Sequence, residues 1–279
     1  MRFFVLTDIE GVAGVDSFAV TRSHDEERKA SAMAQLAREV NACVDGIRSV
    51  HPDAKIDVWD GHGTGGLRET DVEDATYLDE GRPYYDLAEH DAVLFVGQHA
   101  MAGMPDAPLS HTYSSRSIAY YKLNGTFVGE FACRALVAGR QDVPTVFLAG
   151  DDKAALEAEL FVPDIETAVT KWGTGRESAE HRDPDEACEA IREGARRAVD
   201  RLDEIPPYTG LTPPYVLDVG YYDRSSVSKR ARIPRWIRSL PGVGRLVRTP
   251  ETVSRVDERT VRIEADDVVD PPPELYRRL

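Results

Sequence analysis

The chain has 279 residues, 42% of them hydrophobic, which excludes a disordered polymer and supplies core material for one large α/β domain or two modest ones. No apolar run approaches the roughly 18 residues needed to span a bilayer, and a formal net charge of −15 argues against general binding to nucleic acid or to an anionic membrane. Cys43, Cys133 and Cys188 are odd in number and widely spaced, with no Cys-x-x-Cys pair, so they read as buried small hydrophobes rather than a disulfide framework.

In chain order, Phe3-Phe4-Val5-Leu6 is a continuous apolar run, the pattern of a strand buried on both faces. Asp8 and Glu10 follow it at once, which leaves no room for a secretory h-region, so a cytoplasmic protein is expected. From Asp25 to Val50 the apolar residues Ala30, Met33, Leu36, Val40, Val44 and Ile47 recur at helical spacing. Strands are predicted at 55–59, 92–96 and 145–148. Asn124-Gly125 predicts a hairpin turn between 117–123 and 126–128, with Gly129-Glu130 opening the next helix. Asp151-Asp152 begins another helix, where a cap is the ordinary role and a contact to a substrate amine the alternative. Residues 183–202 read as an amphipathic helix with Pro184 in its first turn. Pro206-Pro207 and Pro213-Pro214 mark a rigid connection before strands at 215–219 and 260–263. The expected architecture is α/β: a mostly parallel central sheet flanked by helices, with a smaller C-terminal α/β subdomain. Residues 1–205 would form the metal-binding catalytic domain. Residues 206–279 would form an assembly-forming portion packed on the same sheet.

Three clusters share one setting. Asp8-x-Glu10, Asp60-Gly61-His62 and Gln98-His99 each follow directly after a predicted buried strand. Loops at the carboxyl ends of parallel strands line the ligand crevice of an open α/β sheet, so three clusters about fifty residues apart would converge there. Carboxylates and imidazoles without thiolates suit zinc, and less strictly manganese or cobalt. With Glu130 at a helix start, two histidines and three carboxylates exceed the needs of one tetrahedral ion with an open position. They fit two ions sharing a carboxylate.

The stretches Thr7-Asp8-Ile9-Glu10-Gly11, Trp59-Asp60-Gly61-His62-Gly63, Gly97-Gln98-His99-Ala100-Met101, Leu109-Ser110-His111-Thr112 and Leu123-Asn124-Gly125 through Gly129-Glu130 are the specific feature of this sequence. Together with Leu148-Ala149-Gly150-Asp151-Asp152 and Val169-Thr170-Lys171-Trp172-Gly173, they resemble the self-compartmentalising D-aminopeptidases of dipeptide-transport operons across most of residues 1–205. The resemblance implies two zinc ions bridged by Asp8, with Glu10 and His62 completing one site and His99 and Glu130 the other. It implies a catalytic role for His111. It also implies short peptide substrates with an N-terminal D-amino acid, and a decameric homo-oligomeric ring.

Two residues keep open roles at this level. Asp60 either orients His62 or simply ends its strand, and Asn124 is either a turn residue or a substrate contact. A dinuclear phosphoesterase could use the same donors, but phosphate would favour neighbouring Arg or Lys, and the sequence places only Arg68 close beside the five ligands. A non-catalytic metal-binding ring scaffold is the other alternative, disfavoured by His111. The basic, aromatic stretch 228–238 is expected to serve a subunit interface or salt bridges. Lysine is scarce, with six residues, and an acidic, lysine-poor surface suits a high-salt cytoplasm.

Overall fold

The apolar N-terminal run forms β1 (Arg2–Thr7), buried along almost its whole length as an interior strand of a seven-stranded sheet. A computed structural model describes residues 1–79, 81–223 and 252–269 of the chain. The expected basic stretch at 228–238 therefore lies outside the described residues.

β1 has a parallel neighbour on each side: β2 (Lys55–Asp60) on one and β4 (Ala92–Gln98) on the other. Beyond β2 lies the three-residue β3 (Thr76–Leu78), and beyond β4 come β7 (Thr145–Asp151), β8 (Glu166–Gly175) and β9 (Ser178–His181). All pairings are parallel except the β8–β9 hairpin. The chain leaves β1 toward β2 and later returns to its other side through β4, so strand order reverses at the carboxyl ends of β1 and β4. A crevice opens at such a switch point.

The helix from Glu26 to Val50, α2, follows the short α1 (Phe18–Thr21). It is capped by Asp25, whose carboxylate accepts from Glu27 N at 3.0 Å. α3 (Glu130–Gly139) is buried on every face, whereas α4 (Asp152–Phe161) and α5 (Pro184–Asp200) each begin at an aspartate cap. Right-handed crossovers in opposite directions from β1 and from β4 put α2 on one face and α3 on the other. In agreement, α2 packs against α5, and α3 against α4. Gly46 makes the first contact possible, since a Cβ there would overlap the backbone oxygen of Arg192.

A second, antiparallel sheet runs in the order β11 (Thr252–Arg255), β12 (Thr260–Ala265), β10 (Tyr215–Tyr221), β5 (Ile118–Leu123), β6 (Thr126–Phe127). The expected hairpin is present, with Asn124 at φ 49° and Gly125 at φ 86°. β10 pairs with β5, so strands from both sides of residue 205 share this sheet rather than adding to the parallel one. Its role for the site is to carry the chain from the carboxyl end of β4 to the start of α3.

Four strands had no counterpart in the predicted set, β3, β8, β9 and β11, nor did the short helix α1. The core of β8 is interrupted by polar Thr170 and by Lys171, which is fully buried. A central lysine masks the apolar signature on which strand reading depends.

Candidate metal centre

Asp8 stands one residue beyond β1, His62 two residues beyond β2, and His99 one residue beyond β4. The strands align these ends: Asp8 N donates to Val96 O at 2.9 Å, and Gly61 N donates to Thr7 O at 2.9 Å. Gly97 permits the approach. It takes φ +79°, and a Cβ on it would collide with the carbonyl oxygen of Asp8.

Asp8 faces both histidines. Its Oδ1 lies 3.1 Å from His62 Nδ1, and its Oδ2 lies 3.5 Å from His99 Nε2. Glu10 Oε2 is 3.1 Å from the same His62 nitrogen, and Glu130 Oε1 is 3.4 Å from the same His99 nitrogen. The donors thus divide into two groups that share Asp8. The nitrogens turned away from the centre are engaged elsewhere: His62 Nε2 donates to Thr21 O at 2.8 Å, and His99 Nδ1 donates to Ala100 O at 2.9 Å. Those bonds fix ring orientation and leave one lone pair of each imidazole directed at the carboxylates.

Glu130 is the first residue of α3, and Glu157 of α4 anchors that start by accepting from Gly129 N at 2.8 Å and Ala132 N at 3.3 Å. Arg134, one turn along α3 and buried, holds Glu130 Oε2 at 3.0 Å. His111 stacks on His99, with ring centroids 3.9 Å apart and planes 10° from parallel. Its Nδ1 donates to Leu109 O at 2.8 Å, which frees Nε2. Donor atoms of His99, His111 and Glu130 lie within 4.8 Å of one another, as do those of Asp8, Glu10 and His99.

The local field suits cations. Burial alone would lower the pKa of His62, but Glu10 and Asp8 outweigh it and lift the value to about 11. His99 is likewise lifted to about 10, chiefly by Glu130 against the opposing effect of burial. Burial would raise Glu130, yet Arg134 and His99 bring it down to about 2. Burial and the neighbouring His99 charge both lower His111. The carboxylate field acting on the imidazoles is the same one a divalent ion would experience. Two buried atoms of the set, Glu10 Oε2 and His99 Nε2, have no hydrogen-bond partner. Unsatisfied donors of this kind, in a hard-oxygen and imidazole set, fit divalent cations.

The family comparison decides the class. The family model for peptidase M55, described as D-aminopeptidase, matches residues 1–271. The chain belongs to the D-aminopeptidase family. It is similar to a D-aminopeptidase of Bacillus subtilis (strain 168), 27% identical over 282 residues, covering 97% of this chain and 93% of the relative. Among solved structures it is similar to the Zn-dependent D-aminopeptidase DppA from Bacillus subtilis, described as a self-compartmentalizing protease. That likeness has a TM-score of 0.79 at 24% identity, over 100% of this chain and 95% of that one. Membership makes the protein an aminopeptidase by class, so peptide-bond rather than phosphoester hydrolysis is the reading.

As a D-aminopeptidase fold, the remaining predicted residues fall out as follows. Asp60 accepts from the backbone N–H groups of His62, Gly66 and Leu67 at 3.0, 2.6 and 3.0 Å, so it shapes the loop that carries His62 rather than touching the ring. Asn124 stands apart, bonded to Thr212 O and Val216 N at the hairpin turn, and does not line the metal cavity. Asp151 caps α4 and also accepts from Ala100 N, behind His99. Arg68 is turned to the surface, paired with Glu26. The scarcity of arginine expected around the ligands does not hold, because Arg22, Arg82 and Arg134 line the cavity of about 460 Å³ over the site. Arg134 was legible as one helical turn from Glu130; Arg22 was not, since it is fixed by a loop rather than by a strand end.

Proposed function

We propose that the chain hydrolyses short peptides with an N-terminal D-amino acid, through two zinc-type ions held by Asp8, Glu10, His62, His99 and Glu130. The observation that carries this reading is the placement of Asp8 between two histidines, one carboxylate oxygen toward each. Asp8 would bridge, Glu10 and His62 would serve one ion, and His99 and Glu130 the other. When bound, such a pair supplies Lewis-acid polarisation of a carbonyl and an acidified water.

The protein's own groups do the rest. Arg134 fixes the rotamer of Glu130, and Glu157 fixes the helix start beneath it. His111, with Nδ1 tied to Leu109, offers Nε2 to the cavity as the group that takes a proton from the attacking water and returns it to the leaving amine. Acidic side chains at the same wall suit the free amine of the substrate, which favours cleavage at the first residue. Three free cysteines are consistent with a reducing cytoplasm. No helix among the described residues is long and apolar enough to cross a membrane. Assembly into a homo-oligomeric ring, decameric by family resemblance, is part of the same reading; the solved relative is described as self-compartmentalizing.

The test is hydrolysis of D-alanyl p-nitroanilide and its L-isomer, with bound metal counted by plasma spectrometry. The reading requires two ions per chain and a preference for the D-isomer. Inactivity with zinc, manganese and cobalt alike would refute it. His111→Ala should keep two ions and lose turnover; loss of one ion would make His111 a ligand instead.

A further inference from the structure

Arg22 ends the short helix α1 and reaches the wall of the metal cavity. Its guanidinium lies 3.6 Å from the ring centroid of Phe18. Nε donates to Ser115 Oγ at 2.8 Å and Nη2 to Ser115 O at 3.3 Å. These contacts set the plane of the fork and leave Nη1 unspent. Arg134, Arg197 and Arg262 each pair with a carboxylate, but among the described residues Arg22 pairs with none, in a chain of net charge −15. Arg176 lies 5.5 Å from the same phenyl centroid. Burial, and then the charges of Arg116 and Arg176, lower the pKa of Arg22. Glu177 and Glu10 offset those effects in part, and Arg22, with no ion pair among the described residues, lines the same cavity as the acidic centre.

The platform also connects with the chemistry. Phe18 meets His111 edge-on, with centroids 6.1 Å apart. An aminopeptidase substrate presents its amine on one side of the scissile bond. Only a substrate with a carboxylate on the following residue presents an anion just beyond that bond. A planar, preoriented guanidinium matches a carboxylate with two parallel N–H bonds.

We propose that Arg22, seated on Phe18 and hydrogen-bonded to Ser115, is the subsite for a substrate carboxylate on the residue following the scissile bond. This inference rests on the aminopeptidase reading. The carboxylate has two sources of the same chemistry: the C-terminus of a dipeptide, or an acidic side chain at the second position of a longer peptide. With either source the subsite selects on charge, and a C-terminal amide of a neutral residue is a poor substrate.

The experiment compares D-Ala-D-Ala, D-Ala-D-Ala-NH2 and D-Ala-D-Glu-NH2 on the zinc-loaded protein. One carboxylate substrate is expected to exceed the neutral amide in kcat/KM on the order of 10- to 100-fold, mostly through KM, as one charge-assisted pair would give. Which of the two does so identifies the source. Arg22→Gln should bring the ratio toward one, and Arg22→Lys should restore part of it. Calorimetry with a non-hydrolysable phosphinic dipeptide analogue, as free acid and as amide, should show the same preference without turnover. Equal wild-type values, a preference that survives Arg22→Gln, or a variant altered only in assembly size by light scattering would overturn the inference. If no peptide or anilide is hydrolysed, the aminopeptidase reading fails instead, and the calorimetric preference still decides the role of Arg22.

Discussion

Replacing Lys171 with methionine should loosen the loop that carries Glu10. Lys171 is fully buried in β8, and its ammonium donates to Glu10 O, Val12 O and Val15 O, three carbonyls of one loop. Burial draws its pKa down to about 8, offset in part by Asp151 and Glu39, so at pH 7 the group is still mainly charged. Three hydrogen bonds to a charged donor are worth roughly 1.5–3 kcal/mol each before desolvation is counted. The methionine variant no longer carries the desolvation cost of a buried ammonium, several kcal/mol, but strands three carbonyls, which leaves a net loss of about 3–5 kcal/mol. For a chain of this size that corresponds to a fall in Tm of roughly 6 to 20 °C. Differential scanning calorimetry measures it, and zinc titration of the same variant should show weaker binding because Glu10 is no longer held. A Tm within about 1 °C of wild type, together with unchanged zinc affinity, would refute the view that Lys171 organises this loop.

Glu39 is buried beneath the same loop, where it accepts from Ala13 N, and burial lifts its pKa from 4.5 to about 7. The folded state then keeps a proton that the unfolded chain releases, so this residue's contribution to stability is complete below pH 4.5 and lost as pH rises through 7. Urea melts should show that Glu39→Gln removes about 3 kcal/mol of that slope relative to wild type. Arg134→Met leaves Glu130 buried without its counter-charge. It should cost about 3–5 kcal/mol and shift loss of any metal held by His99 and Glu130 to higher pH, read by metal content against pH. Gly97→Ala forces a side chain against Asp8 O at φ +79°, and should cost at least ~2 kcal/mol and release metal, measurable by thermal shift with and without zinc. If the acidic, lysine-poor surface is a high-salt adaptation, the unfolding midpoint should rise between low and molar KCl; a flat response would dispose of that idea.

Much of this arrangement was written in local chemistry. β1, β4 and β7 are largely apolar runs because both of their faces are covered, and donors follow β1 and β4 at once because strand ends open on the crevice. The helix starts at Asp25, Asp151 and Asp183 were equally legible, since a cap is a local bond. What could not be read were features settled by distant partners. Lys171 is charged and central, and its role appears only when the 10–15 loop folds over it. β3 has three residues at the sheet edge, too few to show a period. Arg22 depends on Ser115, ninety-three positions away, for its orientation. The second sheet depends on β10 finding β5 rather than extending the parallel sheet, a choice that alternation within each strand leaves undecided.

The pairing of β5 with β10 bears on when, during synthesis, the site can be completed. Glu130 is delivered by a hairpin whose neighbouring strand begins only at Tyr215, so a nascent chain that has emerged just past α3 already contains every proposed donor but not the support for one of them. Contacts that span such long separations are made late, because chain entropy opposes them until the intervening segment has condensed. Completion of the proposed site would thus await near-completion of synthesis, when β10 is available to brace the hairpin that delivers Glu130.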